Sequence, residues 1–229
     1  MYRDATIPQS ASLTHNSVCA CPRQASSKIA SLPFTQGGLV IGITGGTGCG
    51  KTTLLEALEA AGAVVLDCDA IYHELLVSDQ EMLAAIGARF PGVIENGALN
   101  RKKLGTIVFA DENALLDLNR ITHAAVKQEV QRRLEKAPGL AAIDAIGLFE
   151  GGLAELCNIT VAVCAPVEDR IRRIMLRDGI SEEYARSRIA AQKSDAWFRE
   201  KCTHVLENSG TKADCQAKCL AFLHTIGIM

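Results

Sequence analysis

Apolar residues along the chain gather into short unbroken runs at 39–44, 63–66, 141–146, 159–164 and, more weakly, 203–207. Between the runs they recur every three or four positions, as at Leu115, Leu118, Ile121 and Ala125. Unbroken runs suit strands buried on both faces of a parallel sheet, and the three-and-four spacing suits helices laid over it. The pattern predicts an α/β fold whose sheet has parallel strands flanked by helices. Its ligand crevice should lie beyond the carboxyl ends of the strands.

No parallel-strand run occurs between 71 and 136, so this stretch reads as a helical insertion between the second and third strands, broken at Pro91-Gly92 and Asn96-Gly97. An insertion of that size over the crevice suits substrate binding. Arg101, Lys102 and Lys103 within it can meet phosphates or form a solvated helix face. Residues 1–37 are rich in Ser, Ala and Thr and hold one acid, Asp4, without periodicity; they read as a disordered extension. Few acids and scattered Arg3, Arg23 and Lys28 faintly resemble a transit peptide, but no amphipathic stripe accompanies them, and a linker or misplaced start codon is preferred.

The first run breaks into Gly45, Gly46, Thr47, Gly48, Cys49, Gly50, Lys51, Thr52 and Thr53, which satisfies G-x-x-x-x-G-K-[ST] between a strand and a helix. Phosphate oxygens need backbone N–H donors at close range. Glycines permit that approach and positive φ, while the helix start adds its unpaired amides. These nine residues are the candidate nucleotide site. Lys51 is expected on the β- and γ-phosphates of ATP and the Thr52 hydroxyl on Mg2+. Cys49 is expected at an exposed helix N-terminus, where thiolate is favoured and oxidation follows.

Asp67-Cys68-Asp69 ends the second run, facing the crevice. Asp69 either meets a substrate hydroxyl or organises Mg2+, or it caps the helix that follows. The third run carries Asp144 and leads into Gly147-Leu148-Phe149-Glu150. The segment 168–192 carries Arg170, Arg172, Arg173, Arg177, Arg186 and Arg188, with Arg173 and Arg177 on one helical face. It reads as an Arg-rich lid over the triphosphate, against the plainer reading of a salt-bridged surface helix fed by Glu168, Asp169, Asp178, Glu182 and Glu183. Asn208-Ser209-Gly210 after the last run can contact the adenine or form an ordinary turn.

Composition narrows the setting. The chain has 229 residues, a net charge of -2 and 22% charged residues, with no basic field for nucleic acid and no run long enough to span a membrane. Nine cysteines, an odd number, with Cys68 and Cys164 in apolar runs, fit a reducing cytoplasm better than a disulfide scaffold. Cys19 with Cys21, and Cys215 with Cys219, lack the partners of a zinc site. The oligomeric state is not legible; a monomer is the favoured expectation.

Taken together, the motifs resemble the dephospho-CoA kinase family over the chain from Leu39 to the C-terminus. Its glycine loop stands at Gly42 to Thr52 and its D-x-D at Asp67 to Asp69, while R-x-x-L-x-x-x-V-F runs from Arg101 to Phe109. L-N-x-I-x-H is Leu118 to His123, and L-[FV]-E is Leu148 to Glu150. R-x-x-x-R-D is Arg173 to Asp178, A-x-Q is Ala190 to Gln192, and N-x-G is Asn208 to Gly210. The resemblance implies a P-loop NTPase-type parallel five-stranded sheet with core segments at 38–70, 140–170 and 200–229. It further implies a coenzyme-A-binding insertion at about 71–136 and a lid at about 170–199.

The implied activity is ATP- and Mg2+-dependent phosphorylation of the ribose 3′-hydroxyl of dephospho-coenzyme A, the last step of coenzyme A synthesis. Asp69 would face that hydroxyl, Lys51, Arg173 and Arg177 would complete the catalytic set, and Asn208 would join the nucleotide site. Two departures stand out. Ala124 follows His123 where the family usually has Pro, which is expected to loosen a helix start. Ile146-Gly147-Leu148 replaces Pro-Leu-Leu, altering the crevice wall. The alternatives are another small-molecule kinase of nucleoside or shikimate type and, from a different class, a GTP-binding switch. The switch rests on Asp144-x-x-Gly147 and Thr211-Lys212-Ala213-Asp214.

Overall fold

The computed structural model describes residues 38–137 and 139–229; the expectations for residues 1–37, including Cys19 and Cys21, fall outside them. The central strand is β1, Leu39–Thr44. It continues through the glycine loop into α1, Lys51–Ala60, then β2, Val64–Asp67. After the helical insertion come β5, Leu140–Asp144, and β6, Ile159–Cys164. The last strand is β7, His204–Glu207, followed by α9, Lys212–Thr225. The sheet has five strands in the order β2-β5-β1-β6-β7. Every pairing in it is parallel.

Successive strand residues point to opposite faces, and the packing follows that alternation. Ile41, Ile43, Val161 and Val163 face one side, where Leu54 and Leu58 of α1 and Cys219 and Leu223 of α9 cover them. Val40, Ala141 and Ile143 face the other, beneath the insertion.

The insertion holds α2, Cys68–Ser78, and α3, Gln80–Arg89, then a short hairpin of β3, Ile94–Glu95, with β4, Ala98–Leu99. It continues through α4, Arg101–Val108, and closes on the long α5, Glu112–Glu135. The break at Asn96-Gly97 is the hairpin turn, with φ of 52° and 79°, values that suit Asn-Gly. Ile71 of α2 and Leu118, Val126 and Val130 of α5 seat the insertion on the sheet. Its helices start on side-chain caps: Asp67, Asp79, Asn100 and Asp111.

Asp111 therefore starts α5, and His123-Ala124 lies inside that continuous helix. The expectation that Ala124 loosens a helix start is corrected: no helix starts there, so the position does not call for proline. The arginine segment is α6, Val167–Asp178, then α7, Glu182–Ala190, and α8, Asp195–Lys201. From Asp195 onward it is anchored to the sheet, since Phe198 packs on Ala162 and Cys164. No described helix is long and apolar enough to cross a membrane.

Candidate active site

The glycine loop turns out of β1 at Gly45 and enters α1 at Gly50. Gly50 sits at φ 89°, and a Cβ there would lie 2.1 Å from Asn208 Nδ2; at Gly45, φ 138°, a Cβ would lie 2.3 Å from the Val163 carbonyl. No side chain caps α1, so its leading amides remain available to an anion. Gly45, Gly46 and Cys49 are buried, Thr47, Gly48, Gly50, Lys51 and Thr53 are half-buried, and Thr52 is exposed. Lys51 folds back over the loop, its Nζ donating to the Gly45 carbonyl at 3.2 Å.

The loop is clasped from outside by residues distant in sequence. Arg170 donates through Nε to Thr47 O at 2.9 Å, through Nη1 to Asp195 at 3.1 Å and through Nη2 to Gln192 at 3.2 Å. Gln192 accepts the Thr47 amide at 2.8 Å and donates Nε2 to the Thr47 hydroxyl at 2.7 Å. Arg173 donates to the Gly48 and Cys49 carbonyls at 3.3 Å.

The six arginines thus divide. Arg170 and Arg173 meet the loop, while Arg172, Arg177, Arg186 and Arg188 pair with Asp169, Asp178, Glu168 and Glu182 as the surface-helix reading expected. Arg177 and Arg188 together hold the Asp178 carboxyl down at about 2. Sequence reasoning gave no individual role to Arg170, Gln192 or Asp195. The signal that could have found Arg170 is its place in the first turn after an apolar strand, on a helix that crosses the loop.

Across from the loop, the carboxylates sort by role. Asp67 is the N-cap of α2, its Oδ1 accepting the amides of Asp69 and Ala70 at 2.9 and 3.1 Å. Capping therefore belongs to Asp67, and Asp69 stands in the first turn of α2 with its side chain exposed. Asp69 helps line a cavity of about 260 Å³ with Tyr72, Asn119, His123, Ile146 and Gly147. The second departure thus falls in the wall of this cavity.

Asp144, at the end of β5, has a buried Oδ1 with no hydrogen-bond partner among the described residues. Burial pushes its carboxyl up to about 6, against the pull of nearby Lys51 and with the repulsion of Asp67 and Asp69. An orphaned carboxyl oxygen at the end of the strand beside β1, close to Lys51, suits a cation. Among the described residues, no cluster of His, Cys, Asp and Glu would bind a metal by itself. The donor set of Thr52 and Asp144 instead fits an ion that keeps waters and leans on phosphate oxygens, as Mg2+ does.

Two expectations are corrected. Cys49 is 1% exposed rather than open at the helix start, and burial raises its thiol above the ordinary range, outweighing Lys51 and Arg170. Asn208 is 4% exposed, its Nδ2 donating to the Cys49 carbonyl at 2.8 Å. Its side chain braces the loop rather than standing open to read a base. Thr211 and Asp214, the pair that suggested guanine reading, close a capping box on α9. Cys215 and Cys219 are buried against the sheet beneath α9.

The sequence model of the dephospho-CoA kinase family matches residues 39–214. The chain belongs to that family. A dephospho-CoA kinase of Thermobifida fusca is 36% identical over 184 residues, which is 79% of this chain and 92% of that relative. A crystal structure from Thermus thermophilus superimposes with a TM-score of 0.70 at 33% identity, covering 83% of this chain and 99% of the other. A dephospho-CoA kinase structure from Campylobacter jejuni, 24% identical with a TM-score of 0.60 and covering 82% and 96%, shares the fold. The matched span takes in the family's loop at Gly45, Asp69, Asp144 and the arginine segment. The glycine loop is thus that of a kinase, with a nucleotide as its ligand.

Proposed function

We propose that this protein transfers the γ-phosphoryl of ATP to the ribose 3′-hydroxyl of dephospho-coenzyme A, giving coenzyme A and ADP. The observation that carries the reading is the convergence of Lys51, Asp144 and Asp69 between the clasped glycine loop and the cavity that Asp69 lines. The loop amides and Lys51 hold the β- and γ-phosphates. Asp69 orients the attacking hydroxyl and takes its proton as the new P–O bond forms, and the bond to the β–γ bridging oxygen breaks to release ADP. Positioning and charge do most of the work in such a transfer.

Thr52, and Asp144 through water, would hold Mg2+, which supplies charge neutralisation on the β and γ oxygens. Arg173 lies against the loop and offsets charge from its flank. Arg177 exchanges Asp178 for phosphate as the lid, about 170–199, settles. The insertion, about 71–136, binds the acceptor, with Tyr72, Asn119 and His123 on its inner face. A monomer in a reducing cytoplasm suits the described cysteines, which are free and mostly buried.

The deciding experiment is an ADP-release assay with ATP against dephospho-coenzyme A, adenosine and AMP. A clear preference for dephospho-coenzyme A is expected; equal rates with all three would sink the reading.

A further inference from the structure

The tip of the glycine loop is held in a way that the phosphate chemistry does not require. Thr47 has three polar atoms, and all three are taken by the arginine segment: its N–H and hydroxyl by Gln192 and its carbonyl by Arg170. The Thr47 amide thus serves the lid, not the cradle. Arg170 is 3% exposed and lies flat on the loop, where a Cβ on Gly46 would fall 2.1 Å from its Nη2. Asp195 at the start of α8 completes the clasp by pairing with Arg170 at 3.1 Å.

Beside this clasp the surface opens into a pocket. A cavity of about 680 Å³ opens between the ends of β6 and β7 and the α7–α8 connection, lined by Pro166, Ser194, Asp195 and Glu207 beside Gln192. Ile189 before this connection and Trp197 after it pack on apolar clusters, and between them Gln192 is tied to Thr47 and Arg170 by hydrogen bonds.

We propose that Gln192 is a positioning residue for the phosphate loop: through Thr47 it keeps the loop tip in its nucleotide-binding shape while the α7–α8 connection is seated. A loop with glycines at 45, 46, 48 and 50 loses more conformational freedom on ordering than any other backbone. Pre-ordering it by a bidentate side chain removes that cost from the binding step. Unseating Gln192 frees the Thr47 amide, hydroxyl and, through Arg170, its carbonyl together. The loop then responds to the lid as one unit.

The inference rests on the reading of this loop as the ATP site, and the test separates the two. Gln192→Met keeps the side-chain length and removes both hydrogen bonds with Thr47 and the one accepted from Arg170; Thr47→Val removes the hydroxyl alone. In the full-length protein, Gln192→Met is expected to raise the Kd for Mg-ATP about tenfold and to speed amide exchange at 45–50 by a similar factor. The KM for dephospho-coenzyme A should stay within about twofold, because the acceptor cavity is not touched. Thr47→Val should cost about threefold, and the double variant should be no weaker than Gln192→Met alone. Gln192→Glu keeps an acceptor for the Thr47 amide and Arg170, so it should restore slow exchange. Unchanged exchange and ATP affinity in Gln192→Met would overturn the proposal. So would additive effects, or a drop in melting temperature with both Michaelis constants rising together. Failure of the wild type to bind ATP would instead remove the function proposed above, while the exchange measurement would still decide the clasp.

Discussion

The two halves of the crevice are built on different principles. On the proposed reading the donor half is backbone: amides of Gly45 to Thr53 other than that of Thr47, shaped by glycine and clasped by Arg170, Arg173, Gln192 and Asn208 from elements far along the chain. The half proposed for the acceptor is side chain: Tyr72 from α2, Asn119 and His123 from α5 and the Ile146-Gly147 turn after β5, over apolar Leu118, Val126 and Leu153. A triphosphate is the same in every reaction, so a fixed backbone cradle suits it. An acceptor differs from one enzyme to the next, and replaceable side chains suit that. Asp144 and Asp69 stand on the seam between the halves.

Several substitutions would sharpen or break this division. The largest effects belong to the seam and the lysine. Lys51→Ala and Asp69→Asn are each expected to lower turnover on the order of a hundredfold or more, read as ADP release at saturating substrates. Near-normal turnover in Asp69→Asn would detach the acceptor half from the chemistry.

Asp144 gives a pH signature. Because its carboxyl is raised to about 6, activity should fall as pH drops through that value, and Asp144→Asn should abolish the acid limb together with most turnover. The stability sign is the reverse of a salt-bridged carboxylate. A raised folded value favours the fold most below the ordinary carboxylate range near 3.8, and that contribution is lost as pH rises through about 6. Asp144→Asn is therefore expected to stabilise the nucleotide-free protein at pH 8 by on the order of 2 kcal/mol, with the gain vanishing toward pH 4 in denaturant titrations.

Next comes Gly50→Ala, which forces a left-handed position and a clash with Asn208. It should cost roughly 1–3 kcal/mol in thermal unfolding and weaken ATP binding while sparing acceptor affinity. His123→Ala is its mirror image, expected to raise the KM for dephospho-coenzyme A about fivefold with the KM for ATP unchanged. A shift in both constants would show that the halves are not separable. Smallest of all is Cys49→Ser. The buried thiol should resist mild peroxide in the native protein, so mass spectrometry should find it unmodified and the variant no more durable than wild type.

The halves also differ in how legible they were. Glycine at fixed intervals before Lys-Thr is a compositional mark of backbone chemistry, so the loop, its strand and its helix could be read from sequence alone. What holds the loop could not, because Arg170, Gln192 and Asn208 look like any polar residues until the fold brings them to Thr47 and Cys49. The same blindness produced the two errors at the loop: nothing local told that Asn208 would cover Cys49 or that the Cys49 thiol would face inward. Asp69 was ambiguous for a simple reason, since a D-x-D at a strand end offers two candidates for one cap, and only the hydrogen bonds assign that task to Asp67. The helical insertion was visible from its periodicity. Its cavity was not, because Tyr72 and His123 meet only after α2 packs on α5.

The strand order carries one more consequence. The insertion leaves the sheet at β2 and returns at β5, and the arginine segment leaves at β6 and returns at β7; in each case the two strands are hydrogen-bonded neighbours. Each excursion is thus a closed detour between adjacent strands, and lengthening, shortening or exchanging it leaves every strand register in the sheet intact. Such a scaffold lets heredity experiment with acceptors one excursion at a time, while β1 and the loop it feeds stay as they are.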